Sequence, residues 1–409
     1  METGLPSVES YFELAERDLP GLFRAEISLL PQAQRQNSLT RRDTPQTTHI
    51  RLPRGTQVLR LHRASLPYST VEMQVQQSYA EALEDLNLVP RVFATTAGAD
   101  VLPRIVATRC AASKPERALD LERLIRAVTD QATKTYEGEK VSVNVCVDLA
   151  DGGTSGIPIE SFFEEPWAAV LGSSLTTAVL ANGRGEVVGS TDLQALLGSP
   201  PSADLLAPER LLHLAEWTRP ADRVALAATR SGEMYVLVGG ECAFVLRSAR
   251  WRGIPVEAVS STSWFTPTGP MPTATKQAVL RSLIDASAAH HGACLGIVRP
   301  GNQARVTRLV ADADRWRPGT ARYDLFKSSS FLTLGRRQRL ELLSMDGATL
   351  ITTHGEILAA GAIVRVRSGS TGGGRTAAAR ALAPLGVGIK VSQDGLNRTG
   401  FVGGSRPLR

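Results

Sequence analysis

Between Asp346 and Gly395 the chain sets a carboxylate, two apolar runs of strand length, a glycine triplet, an alanine-rich helix and a closing strand, and few folds accommodate that order. Thr349 to Ile351 and Ile357 to Val364 are the apolar runs, and His354-Gly355-Glu356 between them is a hairpin signal. Asp346 then stands at the mouth of a strand, where a carboxylate reaches solvent or a metal. Gly372, Gly373 and Gly374 lack a Cβ, so backbone N–H groups can approach a ligand closely, and Thr376 to Leu382 has the composition of a helix. A glycine-rich turn feeding a helix N-terminus suits anions, because its first N–H groups are unpaired and the dipole is positive there. Arg375 adds a full charge. The competing reading of the same glycines is a flexible surface loop.

Upstream, Thr273 to His290 has the spacing of an amphipathic helix with Val279, Leu280, Leu283 and Ile284 inward. Ala293 to Val298 reads as a strand and Arg336 to Leu343 as a helix delivering Asp346. Helix, strand, helix, hairpin, helix, strand describes a mixed sheet flanked by helices, an α/β unit. The preceding region reads as α+β. Ser7 to Leu19 is a short helix, and Thr56 to His62 and Arg91 to Thr95 are strands around the helix Tyr79 to Leu86. Pro115 to Thr133 is a helix with Leu119, Leu121, Leu124, Ile125 and Val128 at helical spacing, and Val141 to Leu149 is a strand. Further strands fall at Arg223 to Thr229, Met234 to Val238 and Glu241 to Leu246. Gln32 to His49, polar and basic, reads as a mobile segment, and Arg247 to Arg252 with Trp251 as a strand end on a solvated face. These patterns divide the chain into 1–198, a small segment 199–265 grouped with it, and 266–409, with Pro255 to Pro272 as the best boundary.

The charge is uneven. Residues 295–409 carry 18 Lys and Arg against 7 Asp and Glu, an excess of +11 in a chain of net +6. A basic surface suits nucleoside triphosphates and nucleic acid alike, so sign alone does not choose. Cys110, Cys146, Cys242 and Cys294 are widely spaced and read as reduced, mostly buried thiols of a cytoplasmic protein. His290, His291 and Cys294 have no second ligand pair at zinc spacing, which favours helix-end packing. No secretory signal and no apolar run of membrane-spanning length is apparent, so no membrane association is expected.

Met345-Asp346-Gly347-Ala348 with its hairpin, Leu358-Ala359-Ala360-Gly361-Ala362, the glycine-led loop into an Ala-Ala helix and the strand closing on Val391-Ser392 resemble the diadenylate cyclase domain family, from about Thr273 onward. In that family the Asp-Gly-Ala motif holds metal and nucleotide, and a Gly-Thr-Arg-His-Arg motif grips the phosphates. Asp346, Gly347 and Ala348 match the first motif. In the second, Gly372 matches, whereas Gly373, Gly374, Arg375 and Thr376 stand where Thr, Arg, His and Arg are expected. The family's Ser-Glu-Glu is here Ser392-Gln393-Asp394. A charge-assisted hydrogen bond contributes about 1.5–3 kcal/mol, so two missing guanidinium contacts weaken phosphate binding on the order of a hundredfold or more unless Arg375, or Arg380 about one helical turn on, replaces them.

The resemblance implies that Asp346 is the catalytic residue and ligates Mg2+ or Mn2+. It further implies that Gly347, Ala348, Gly372, Gly373, Gly374, Arg375, Thr376 and Ser392 bind ATP, and that two copies of the domain face each other to make cyclic di-AMP under control of the N-terminal region. A catalytically silent nucleotide sensor is the alternative that the altered second motif favours, and a nucleic-acid-binding protein is a weaker third.

Overall fold

A computed structural model describes residues 8–23, 25–31, 38–53, 57–63, 68, 70–86, 101–136, 138–153, 155–202, 204–248, 250–253, 268–326, 330–366, 373–392, 395–402 and 406–408. The chain divides into two compact units, Met1–Ala258 and Val259–Arg409. The division falls within Pro255 to Pro272. Both are built from mixed helix and strand, an α/β fold.

The first unit begins with α1 (Val8–Phe23), the strands β1 (Glu26–Pro31), β2 (Thr40–Thr44), β3 (Thr47–Arg51) and β4 (Gln57–His62), and the helices α2 (Thr70–Leu86), α3 (Val101–Cys110) and α4 (Ala118–Thr133). After the short ladder β5 (Thr135–Tyr136) and β6 (Glu139–Lys140) come β7 (Val143–Asp148), β8 (Ile157–Pro158), α5 (Ile159–Phe162), β9 (Thr177–Asn182), β10 (Glu186–Asp192), α6 (Leu193–Leu197) and α7 (Leu212–Trp217). It closes with β11 (Arg223–Ala228), β12 (Met234–Val238), β13 (Glu241–Arg247) and β14 (Arg250–Gly253). An antiparallel sheet runs β1-β4-β3-β2, and an eight-stranded sheet runs β14-β13-β12-β11-β7-β9-β10-β8 with β7 and β9 parallel. Strands on both sides of residue 199 thus belong to one sheet.

Three expectations are corrected here. Thr40 to His49, inside the stretch read as mobile, belongs to the β2–β3 hairpin, because β-branched threonines at 40, 44, 47 and 48 favour a pleated surface that the next residue, Ile50, anchors in the core. Leu119 is 67% exposed, since it sits about 200° around α4 from Leu121, whose stripe of Leu124, Ile125 and Val128 is buried. Arg247 and Trp251 are buried rather than solvated: Arg247 pairs with buried Glu233, which also accepts from the Tyr235 hydroxyl at 2.8 Å, so the charge enters the core compensated. Gln32 to Asn37 and Arg91 to Thr95 lie outside the described residues.

The second unit contains α8 (Thr273–Ala288), β15 (Ala293–Val298), α9 (Gln303–Leu309), α10 (Ala321–Phe326), α11 (Arg336–Ser344), β16 (Ala348–Thr352), β17 (Ile357–Ala362), α12 (Gly374–Leu382), β18 (Gly386–Ser392), β19 (Gly395–Val402) and β20 (Arg406–Leu408). Its sheet runs β17-β16-β15-β18-β19-β20, with β15 and β16 parallel and every other pair antiparallel. The hairpin at residues 352–356 closes through Thr352 N–H to Glu356 O at 2.8 Å and Gly355 N–H to Thr352 O at 3.0 Å. The outer edge of β17 is covered by irregular chain: Trp316 N–H donates to Leu358 O at 2.9 Å and Phe331 N–H to Gly355 O at 2.7 Å. The sequence pattern stopped at β18, whereas β19 and β20 extend the sheet by two strands.

Helix α12 lies on the face presenting Cys294 and Val298, and α8 and α11 pack together on the other. The approach of α12 is set by Gly388, where an added Cβ would overlap the carbonyl of Ala379. Helix α8 is more buried than its amphipathic pattern predicts, because Arg281 and Asp285 are enclosed together with Val279, Leu280, Leu283 and Ile284. Asp285 accepts a bidentate bond from Arg336, Nε at 2.9 Å and Nη2 at 2.7 Å, tying α8 to the helix that delivers Asp346. Removing one partner of such a pair strands a buried charge. Asp285→Ala should therefore lower unfolding free energy by about 3–5 kcal/mol in urea titration; a loss under 1 kcal/mol would show that the pair does not clamp the helices.

All four cysteines are free and buried. Burial pushes the Cys110 and Cys294 thiols from 9 to about 12. A raised folded-state value means that the unfolded thiol ionises first, so this contribution is intact below pH 9 and declines between about pH 9 and 12. Each thiol should subtract about 1.4 kcal/mol per pH unit in that window, measurable as a falling urea midpoint that Cys294→Ala partly flattens. Among the described residues no helix is long and apolar enough to cross a membrane.

Candidate functional site

One end of the second unit's sheet collects the residues that the sequence singles out. Register puts Ala293 opposite Val391 and Ala348 opposite Ala362, so the start of β15, the start of β16, the end of β17 and the end of β18 share that end. Asp346 precedes β16 and is exposed, with its Oδ1 accepting from Gly347 N–H at 3.1 Å. Gly347 holds φ +104°, and a Cβ there would meet Gly361 C at 2.6 Å and Ala362 O at 2.7 Å. Only glycine makes this turn, and the turn presents Asp346 outward while the chain enters the core at Ala348, which is 1% exposed. Ala348 therefore offers a ligand little beyond its backbone. Ser392, half-buried, pairs opposite Gly395 at the end of β18.

Gly373 is the N-cap of α12 at φ +79° and makes no side-chain cap bond, since it has no side chain. Ala377 N–H donates to Gly373 O at 3.1 Å, which leaves the amides of Gly374, Arg375 and Thr376 without an intrahelical acceptor. Arg375 is half-buried, and α12 packs Ala379 on Gly388 and turns back through Ala383–Leu385 into the start of β18, so its N-terminus lies toward the end of that strand. Thr376 is 8% exposed, and among the described residues its hydroxyl has no hydrogen-bond partner. The α12 N-terminus and Asp346 thus belong to the same end of the sheet. Gly372 lies outside the described residues.

Arg380 does not join Arg375. Five residues along a helix turn about 140°, so Arg380 projects from another face, where it lines a cavity with Arg305, Arg308 and Arg365. Sequence reasoning missed this arginine set because its members come from three separate segments. His290 takes φ +56° after α8, His291 Nδ1 meets Ser344 Oγ at 2.5 Å, and Cys294 is inside β15. These three residues thus have separate structural surroundings.

The turn geometry yields a paired test. Gly347→Ala should lose about 2 kcal/mol or more of stability through strain and backbone overlap. Gly374→Ala, which meets nothing within 4 Å, should be neutral or stabilising by up to about 1 kcal/mol. Thermal melts of both variants check this, and equal losses would refute the distinction.

No family model and no curated protein matches the chain. Among solved structures, one similar chain is described as a hypothetical membrane spanning protein from Bacillus cereus, at 16% identity and TM-score 0.25, covering 32% of this chain and 60% of that one. Another is DacA from Staphylococcus aureus in a double-mutant form, at 15% identity and TM-score 0.24, covering 32% of this chain and 85% of that one.

Proposed function

We propose that the second unit is a nucleotidyltransferase domain of the diadenylate cyclase type, which condenses two ATP into cyclic di-AMP and pyrophosphate under regulation by the first unit. What supports this reading is one observation: the Asp346-Gly347-Ala348 turn, the open amides of α12 and Ser392 belong to a single sheet end.

The donor set suits a hard cation. Asp346 is one exposed carboxylate, and among the described residues no group of three His, Cys, Asp or Glu is placed to form a protein cage. Mg2+ and Mn2+ accept such sites, taking one or two carboxylates together with substrate phosphates and water. Asp346 would hold the ion, which when bound supplies positive charge at the phosphate and favours loss of the 3′-hydroxyl proton. The amides of Gly374, Arg375 and Thr376 would bind phosphate oxygens, and Arg375 would offset the charge growing on the departing pyrophosphate. The Gly347 turn fixes Asp346 ahead of its strand, so no large side-chain search precedes binding. Ser392 would orient the nucleotide from the end of β18. Each 3′-hydroxyl attacks the α-phosphorus of the other nucleotide, forming a P–O bond as pyrophosphate leaves. Each domain holds one ATP, so two copies must face each other.

The altered second motif favours a silent nucleotide sensor as the alternative. Gly373 and Gly374 carry no side chain and Thr376 is buried, so of the four positions from 373 to 376 only Arg375 presents a cation.

Incubation of the full chain with ATP and Mn2+, with products resolved by mass spectrometry, should yield cyclic di-AMP. Asp346→Asn should reduce the yield at least a hundredfold with an unchanged melting temperature. Equal turnover by the variant would remove Asp346 from the chemistry, and ATP binding without product from either protein would establish the sensor.

A further inference from the structure

The two units repeat one sheet plan. In the first, β10-β9-β7-β11-β12-β13 are successive neighbours, with β7 and β9 parallel and the other pairs antiparallel. In the second, β17-β16-β15-β18-β19-β20 follow the same order with β15 and β16 parallel. Helices α4 and α8 precede the first strand of each set, and α7 and α12 precede the strand that reverses direction. Val143 pairs with Ala228 as Ala293 pairs with Val391, so the end of β11 corresponds to the end of β18. Register also sets Thr176 and Thr177 of the first unit where the second has Asp346 and Gly347. The first unit therefore lacks the carboxylate-glycine turn at this sheet end.

Arginines stand at that end instead. The ladder carries it across the sheet, with Ala228 opposite Met234, Met234 opposite Leu246, and Leu246 opposite Trp251. Arg247 and Arg250 face each other directly across β13 and β14, and like charges so placed are unfavourable. Arg247 is compensated, since it pairs with buried Glu233 and donates from Nη2 to the Tyr235 hydroxyl at 3.2 Å. Arg210 donates to the same hydroxyl at 3.3 Å. Arg250 and Arg252 are a different case. Among the described residues neither forms an ion pair, and the enclosed Nε of Arg252 has no hydrogen-bond partner. Burial, with the charges of Arg247 and Arg250, lowers the pKa of Arg252.

We infer that Arg250 and Arg252 form an anion site of the first unit that takes a diphosphate group, carried by inorganic pyrophosphate or by a nucleotide. Residues two apart on a strand share a face about 6.6 Å apart, which long arginine side chains close onto adjacent phosphates. A diphosphate brings several oxygens and at least two charges to two guanidinium forks, and it turns their mutual repulsion into attraction. Two unpaired cations suit one such group rather than the series of phosphates along a nucleic-acid strand. Bound there, the anion would give the regulation proposed above a chemical input. That consequence alone rests on the proposed reaction.

The test is isothermal titration of the full chain in EDTA with inorganic pyrophosphate and, separately, with ADP, joined to hydrogen exchange to locate the contact. Arg250→Ala and Arg252→Gln should each weaken binding at least about tenfold, and the ligand should slow exchange in residues 241–253. Arg250 is exposed and opposes a like charge, so Arg250→Ala without ligand should melt no lower than the parent. ADP binding at least tenfold tighter than pyrophosphate would assign a nucleotide, and equal or weaker ADP binding the inorganic ion. The inference fails if neither probe binds at millimolar concentration, if both variants bind unchanged, or if protection is confined to the second unit. Binding of a single-stranded oligonucleotide but of neither probe would also overturn it. Absence of cyclic di-AMP synthesis alongside arginine-dependent pyrophosphate binding would defeat the proposed reaction and leave this site standing.

Discussion

The second unit depends on how closely α12 approaches its sheet. Gly388 lets the carbonyl of Ala379 come down to the strand, and one strand over Gly296 leaves room for the Leu382 side chain. A methyl group at Gly388 would occupy backbone space, so the separation is governed by backbone contact rather than by interchangeable side chains. Because α12 is held there, the open amides of its first turn belong to the end of the sheet where β18 finishes, and the flank of its last turn forms a wall of the arginine cleft. One packing contact therefore positions two features of opposite ends of one helix.

A second constraint acts on the other face. The bidentate pair of Asp285 and Arg336 joins α8 to α11, and α11 ends immediately before the turn that exposes Asp346. Its burial makes it costly to break and geometrically strict, because a planar guanidinium accepts one orientation of the carboxylate. His291 and Ser344 add a contact at the end of α11. The exposed carboxylate is thus presented by a turn whose entry is clamped by a buried ion pair and whose exit is a core strand. That is the arrangement expected of a residue that must stay in water yet keep its place.

In chemical terms the candidate site is spare. Among the described residues it presents one carboxylate, one guanidinium, three backbone amides and one serine, and the proposed phosphate contacts would come mainly from backbone donors. Backbone donors are fixed in space and cost no rotamer entropy on binding, but they carry partial charge only. The arginine cleft has the reverse character, with four exposed arginine side chains among its lining residues.

Much of this was legible from residues alone. The hairpin at 352–356, the helix opened by glycines, the strand ending at Ser392 and the turn at Gly347 are local decisions, set by apolar periodicity, by missing Cβ atoms and by turn chemistry over a few residues. The stripe on α4 was legible too, apart from Leu119, where counting apolar residues overrode the angle between them. What the sequence could not disclose was anything that depends on partners distant along the chain. Arg247 looks solvated until Glu233 is seen beside it, Thr47 to His49 looks loose until β4 pairs with it, and β19 and β20 extend a sheet that the pattern had already closed. The arginine cleft is the clearest case: residues 305, 308, 365 and 380 form no motif in any window of sequence. Short-range sterics and hydrogen bonding determined the elements and the Asp346 turn. Only tertiary packing decided which charges converge, because Coulomb interaction depends on distance in space.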